Sequence, residues 1–162
     1  MADYSLSAGA GDAHLSAVDG LIALPFPEQE LRPGKEGRSG GPGYHLAVLR
    51  ESRDFWDDRS EQVVEAAEQE LEADLVALSK SLTSRWGRPE TVELWPYLGF
   101  DDPDPQYSAP EPLALLSNVA GSMQVWRLPD SARWLALAIG QADPEFPLQL
   151  LAAVGVASTL EP

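Results

Sequence analysis

Three apolar segments, separated by two turns that contain proline and aspartate, occupy most of the chain between Met123 and Val156. The segments cover 123–128, 133–141 and 147–156, and the turns are Pro129-Asp130-Ser131 and Asp143-Pro144-Glu145. Short apolar segments bounded by such residues are typical of β-strands joined by tight connections. The pattern therefore predicts an antiparallel meander, and it contains no histidine or cysteine that could carry out chemistry.

A different periodicity predicts one long helix over residues 58–86. Apolar residues recur there at spacings of three and four, which is one helical face; they are Val64, Ala67, Leu71, Leu75, Leu78 and Leu82. Asp58 followed by Glu61 resembles a capping box, and Gly87 followed by Pro89 is typical of a helix end. Because each large aliphatic side chain gains roughly 1.5–3 kcal/mol on full burial, we expect this face to cover a sheet.

Two further strands and a short helix complete the expected elements. The strands are 44–50 and 91–95, and the short helix is 112–119, after an irregular connection rich in proline and aspartate. The predicted fold class is α+β. We expect a two-layer sandwich, with a mainly antiparallel sheet of about five strands and one long helix packed on one face.

Residues 1–43 differ in composition from the rest of the chain. Gly, Ala, Ser and Pro dominate, and 33–43 has almost nothing to bury, so we expect a flexible N-terminal segment. Its apolar residues between Gly20 and Pro27 predict a possible short docked edge strand. Residues 44–160 are expected to form a single α+β domain, which suits a chain of 162 residues.

The net charge of −15 restricts the classes of partner. Nucleic-acid binding depends on Lys and Arg that displace counterions, so it is not expected. An acidic surface favours a basic partner protein. No segment approaches the roughly 20 apolar residues of a membrane span, and no signal peptide is recognised, so we expect a cytoplasmic protein that does not bind membranes.

The sequence motifs that could support catalysis all lack the context that the chemistry needs. Residues 37–41 match G-x-S-x-G, but no strand and helix flank the serine as a nucleophile requires. His14 and His45 have no partner at a motif spacing, and Glu68 and Glu72 are expected to face solvent. We therefore predict no catalytic residues and no cofactor.

The densest carboxylate cluster contains Asp101, Asp102 and Asp104. Hard cations prefer such oxygens, but an EF-hand loop from Asp102 would need glycine and glutamate where Tyr107 and Leu113 stand. We favour a solvated acidic loop that contacts a partner over a metal site.

Two of the five tryptophans, Trp126 and Trp134, lie on either side of the Pro129 turn and are predicted to be near cross-strand neighbours. They would either pack in the core or form an aromatic patch that binds a partner. The strands around 143–147 are apolar on both faces, whereas one helix covers only one face. We therefore expect the N-terminal segment or another subunit to cover the second face.

These features favour a non-catalytic, acidic protein-interaction module, such as an adaptor, a chaperone or a neutralising partner of a basic protein. Its expected contact residues are Trp126, Trp134, Asp101, Asp102 and Asp104. Two alternatives remain. One is a small-molecule-binding or hydrolytic enzyme, with a pocket between helix and sheet and possible metal assistance from the 101–104 loop. The other is an oligomer in which a second copy covers the exposed sheet face.

Overall fold

A six-stranded sheet forms the centre of the computed structural model, which describes residues 2–31 and 37–160, with side chains from residue 13 onward. The strands are β1 (Arg38–Gly41), β2 (Tyr44–Glu51), β3 (Glu90–Glu93), β4 (Ser122–Arg127), β5 (Arg133–Gly140) and β6 (Gln149–Val156). Their order is β1-β2-β6-β5-β4-β3, and every neighbouring pair is antiparallel. The predicted α+β class is confirmed, with six strands instead of five.

The strand that the sequence analysis missed is β1. It pairs with β2 through a two-residue turn, Pro42-Gly43, and Gly41 lies opposite Tyr44. Gly43 has a φ of 86°, a left-handed value that favours glycine and is typical of the second central residue of a type II turn, where proline is common at the first. The composition of 38–41 is typical of a loop, and only pairing with β2 makes it a strand.

The long helix is confirmed as α2 (Glu61–Trp86), which begins three residues later than predicted. Asp58 does not form the expected capping box. Its carboxylate accepts the backbone N–H of Ser60 at 2.9 Å, and this hydrogen bond holds the pKa of Asp58 below its ordinary value. At the other end Gly87 has a φ of 86° and donates its N–H to the carbonyl of Thr83, as the sequence indicated.

The apolar face of α2 packs on the sheet. Its buried residues are Ala67, Leu71, Leu78 and Leu82, while Val64 and Leu75 are half-buried. The C-terminal half of the helix contacts the apolar side chains that β5 and β6 present on this face; they are Leu135, Leu137, Ala152 and Val154. The predicted contact between helix and sheet is therefore confirmed.

The N-terminal region contributes a second helix to the same face. This helix, α1 (Ala2–Ala23), lies beside α2, and its Val18 and Leu21 are buried in the core that α2 forms with the sheet. Asp19 also forms an ion pair with Arg85 of α2 at 2.6 Å. The edge strand predicted between Gly20 and Pro27 is wrong, because the apolar residues there continue the helical spacing of the preceding turn.

Residues 1–43 were predicted to form a flexible segment before the α+β domain. The core includes side chains from both sides of the boundary predicted at residue 43. The only described strand in this region is β1, at 38–41. Part of the expected linker, residues 32–36, lies outside the described residues.

The opposite face of the sheet is covered by the connection between β3 and β4. This connection contains a 3-10 turn (Trp95–Leu98) and the short helix α3 (Leu113–Ser117), close to the predicted 112–119. Its Leu94, Leu113 and Leu116 are almost fully buried against β4, β5 and β6. The expectation that the N-terminal segment or another subunit covers this face is therefore wrong: the chain covers it with its own connection.

Trp126 and Trp134 lie on opposite faces of the sheet. Trp126 pairs with Leu135, and Trp134 pairs with Arg127. Because directly paired residues share a face and successive residues alternate, this register separates the two rings. The prediction that they are cross-strand neighbours is wrong by one position, since it did not account for the length of the turn between β4 and β5.

The burial of the α2 face predicts a large stability difference between two aliphatic positions on this helix. Leu82 is 0% exposed and Val76 is 64% exposed. We expect Leu82→Ala to lower the free energy of unfolding by about 2–5 kcal/mol because it leaves a cavity. Val76→Ala should change it by about 0.5 kcal/mol or less. Urea denaturation of both variants measures this, and similar midpoints would contradict the packing described above.

A close contact between β5 and β6 gives a second prediction. A Cβ on Gly155 would overlap the indole of Trp134, whereas a Cβ on Gly121 would have no atom within 4 Å. We expect Gly155→Ala to cost about 1–3 kcal/mol through overpacking, and Gly121→Ala to be nearly neutral. Thermal unfolding measures both. In a Trp134→Leu background the penalty of Gly155→Ala should disappear, and an unchanged penalty would refute the contact as its cause.

Candidate functional site

Exposed apolar side chains are concentrated in the connection that covers the second face. Trp95 is 54% exposed, Leu98 37%, Phe100 84% and Tyr107 37%. Exposed apolar groups that cluster, unlike isolated ones, are typical of interaction sites, and these four residues come from one short stretch of the chain. We call these four residues, together with Asp101, Asp102 and Asp104, the aromatic–acidic surface.

The inner side of this connection explains why its aromatic residues face outward. Leu94 is fully buried against the sheet and Tyr97 packs at the edge of the same cluster, so they occupy the inward positions. The chain then reverses at Gly99, which has a φ of 82°. The ring of Tyr107 lies directly over Gly99, where a Cβ would be 2.7 Å from Cδ1. The glycine thus brings the two ends of the loop together.

The aspartates form two consecutive local turns. The carboxylate of Asp102 accepts the backbone N–H of Asp104 at 2.8 Å, and that of Asp104 accepts the N–H of Gln106 at 2.9 Å. Such bonds mimic a backbone turn and hold the loop in shape. Asp101, Asp102 and Asp104 are all exposed. The loop therefore presents its carboxylates in a defined arrangement next to Phe100.

The charge around this surface has one sign. Between Arg88 and Arg127 the sequence contains no Lys or Arg. The acidic residues of the same stretch are Glu90, Glu93, Asp101, Asp102, Asp104 and Glu111. Only Glu90 has a described ion pair, with Arg127 at 3.3 Å. The surface can therefore attract cations, and among residues 2–31 and 37–160 no described ion pair involves Asp101, Asp102 or Asp104.

The structure does not bring the predicted contact residues together. Trp126 and Trp134 are 2% and 0% exposed. The indole of Trp126 donates to the carbonyl of Gly87, and that of Trp134 donates to the carbonyl of Val156. Both rings are therefore core residues, which was one of the two interpretations of the sequence. The aspartates remain on the surface, beside other aromatic residues.

Trp95 and Phe100 were not among the contact residues predicted from the sequence. The signal that could have found them is their position: large aromatic residues in an irregular stretch of proline and aspartate have no regular element to pack them. The predicted tryptophans lie in strands, where burial is the ordinary outcome. Location in an acidic loop is therefore a better guide to exposure here than the residue type.

The residues considered for catalysis lie in separate parts of the fold. The G-x-S-x-G match runs into β1, and no helix follows its serine. His45 is buried; its Nε2 lies 3.1 Å from the carbonyl oxygen of Pro25, to which it can donate, and its ring contacts Phe26. Glu68 and Glu72 are exposed on α2. Within residues 2–31 and 37–160, no group of three or more potential ligands is placed to hold a metal.

The two structural features that the enzyme hypothesis combined lie on opposite faces of the sheet. That hypothesis combined a pocket between the long helix and the sheet with carboxylates from the 101–104 loop. The loop belongs to the connection whose Leu94 and Ala109 pack on the face opposite α2. Its carboxylates therefore cannot line a pocket beneath α2.

Tyr44 is the buried titratable group with the most perturbed pKa among the described residues. Its hydroxyl donates to Glu30 at 2.6 Å, and burial followed by this bond raises the pKa of Tyr44 well above its ordinary value. A perturbed pKa can indicate a functional site. Here the pair connects the segment after α1 to β2, so we interpret it as structural.

This pair predicts a specific alkaline behaviour. The ordinary pKa of tyrosine is about 10, and the folded value is higher, so the stabilisation is complete below about pH 10 and is lost as the pH rises further. Ultraviolet titration should show one tyrosine that resists ionisation until the chain unfolds. Tyr44→Phe should remove this late phase, and its persistence in the variant would contradict the assignment.

The helices of the described residues include none whose length and apolar character would allow it to cross a membrane. A scan against protein-family models finds no match to the chain, and searches of curated proteins and of solved structures find no significant match.

Proposed function

We propose that this protein is a non-catalytic interaction module that binds a basic segment of a partner protein through the aromatic–acidic surface. The observation that carries the proposal is the exposure of Phe100 next to three exposed aspartates of the same loop, with Trp95 exposed in the turn that leads into this loop. An adaptor, a chaperone or a protein that neutralises a basic partner would use such a surface. A cytoplasmic setting is part of the proposal.

The chemistry of the surface favours arginine as the recognised residue. Aromatic rings attract cations over their faces, and they do so more often with the planar guanidinium of arginine than with lysine. Carboxylates accept paired hydrogen bonds from the same group. A ring flanked by carboxylates, as Phe100 is by Asp101, therefore offers both interactions to one side chain.

One arginine of the protein itself stacks on an aromatic ring, in a pair of half-buried side chains. The guanidinium of Arg133 lies 3.9 Å from the centroid of Phe26. In the aromatic–acidic surface, the sequence supplies the rings and the carboxylates but no arginine. A partner protein can supply the missing cation.

Self-association is less favourable at this surface than a basic partner. Two copies that meet there would bring their aspartates together, and each copy has a net charge of −15. Like charges placed close together oppose association. A second copy was expected to cover an exposed sheet face, but the chain covers that face with its own connection.

The proposal can be tested with a synthetic peptide of alternating arginine and valine, compared with a peptide in which glutamate replaces arginine. We expect only the arginine peptide to bind in calorimetry. Its affinity should fall several-fold between about 50 mM and about 500 mM salt, because salt screens exposed charges. Phe100→Ser should weaken binding by about tenfold or more, as truncation of a central aromatic contact does.

The matched control is Trp56→Ala. Trp56 is 61% exposed and lies next to Phe146, outside the aromatic–acidic surface. This variant should bind the peptide with unchanged affinity. Equal losses in Trp56→Ala and Phe100→Ser, or binding that does not respond to salt, would overturn the proposal.

A further inference from the structure

One edge of the sheet is open next to the aromatic–acidic surface. β3 is the last strand, and within the described part of the chain it pairs only with β4. Glu90, Thr91 and Glu93 are exposed, and Val92 is half-buried. The opposite edge is different, since Leu31 bridges to Gly40 on the outer side of β1.

The hydrogen bonds between β3 and β4 show which backbone groups of β3 point away from the sheet. Leu94 donates its N–H to the carbonyl of Gly121 at 2.9 Å, in the same register as the pair Val92–Met123. In an antiparallel ladder, residues that bond to the neighbouring strand alternate with residues that do not. The N–H and C=O groups of Thr91 and Glu93 therefore point away from β4.

The position of this edge in the sequence links it to the proposed binding surface. Trp95 follows Glu93 by two residues, so the strand leads directly into the exposed aromatic residues. Unpaired edge groups are a template for another strand, and charged residues on an edge discourage unsuitable strands from pairing. Glu93 discourages an acidic or apolar strand but favours a basic one.

We propose that the basic partner segment binds as an extended strand that adds to β3. Its backbone would pair with the outward N–H and C=O groups of Thr91 and Glu93. On the face that carries the side chain of Glu93, its cationic side chains would lie beside this glutamate, and the residues that follow the added strand would reach the aromatic–acidic surface. This mode is β-augmentation, in which main-chain bonds supply affinity and side-chain contacts supply specificity. The inference rests on the proposed function and adds the conformation of the ligand.

A second copy of the protein is a less suitable occupant of this edge. Pairing of β3 with another β3 would place the glutamates of both strands along one short seam. Like charges on adjacent strands are destabilising. The charge of the edge therefore selects for a partner strand of opposite sign.

The test is Thr91→Pro, with Thr91→Ala as the matched control, in the full chain and with the alternating arginine–valine peptide. Proline has no N–H, and it is tolerated on an edge strand where that group faces solvent. The fold should therefore be retained, as circular dichroism can verify. We expect Thr91→Pro to weaken binding about tenfold or more and Thr91→Ala to bind like the unmodified protein.

A second measurement does not depend on the stability of the proline variant. A peptide of the same sequence with N-methyl groups at alternate residues keeps its charge but cannot pair along one edge. Two such peptides are compared, one methylated at the odd residues and one at the even residues. One of them should bind about tenfold or more weakly than the unmethylated peptide, because only one of the two sets of N–H groups faces β3. Equal affinity of both methylated peptides and the unmethylated peptide would overturn strand addition.

The outcomes distinguish the two proposals. If Thr91→Pro binds normally while Phe100→Ser does not, strand addition is wrong and the proposed function stands. If the unmodified protein binds no arginine peptide, the proposed function fails and the inference fails with it. A dimer that Thr91→Pro abolishes would overturn the inference in favour of a second copy on this edge.

Discussion

The structure depends on the burial of β5 and β6 on both faces. Six residues in each of these two strands are buried, on either side of the sheet. Such strands are stable only if something apolar covers both sides. Helices α1 and α2 cover one side, and the connection from Leu94 to Ala120 covers the other. The arrangement of the remaining elements follows from this requirement.

The helices on one face of the sheet and the connection on the other differ in which side chains they leave exposed. A long helix buries a continuous stripe and turns its polar face to solvent, as α2 does. A connection built from a 3-10 turn, a loop and a five-residue helix buries isolated anchors such as Leu94 and Leu113. Trp95 and Phe100 lie between these anchors in the chain but outside the core cluster that the anchors form. Exposure of Phe100 and Trp95 is therefore a consequence of how the second face is closed.

Much of the fold was predictable because its signals are local. The spacing of apolar residues in α2, its end at Gly87 and the strands around the Pro129 and Asp143 turns all depend on near neighbours in the chain. The candidate site was predictable only in part. Asp101, Asp102 and Asp104 were identified, because a carboxylate cluster is visible in the sequence. The aromatic residues beside them were not, since their exposure depends on which residues the sheet buries.

The sequence by itself determined the α+β class, the amphipathic face of α2 and the excess of acidic charge, because periodicity and composition do not depend on distant contacts. Only the tertiary structure decided which element covers each face and where Trp126 and Trp134 lie. A strand register that differs by one residue moves a side chain to the other face. The pairing of 38–41 with β2 was likewise decided at long range, because those residues have little strand preference of their own.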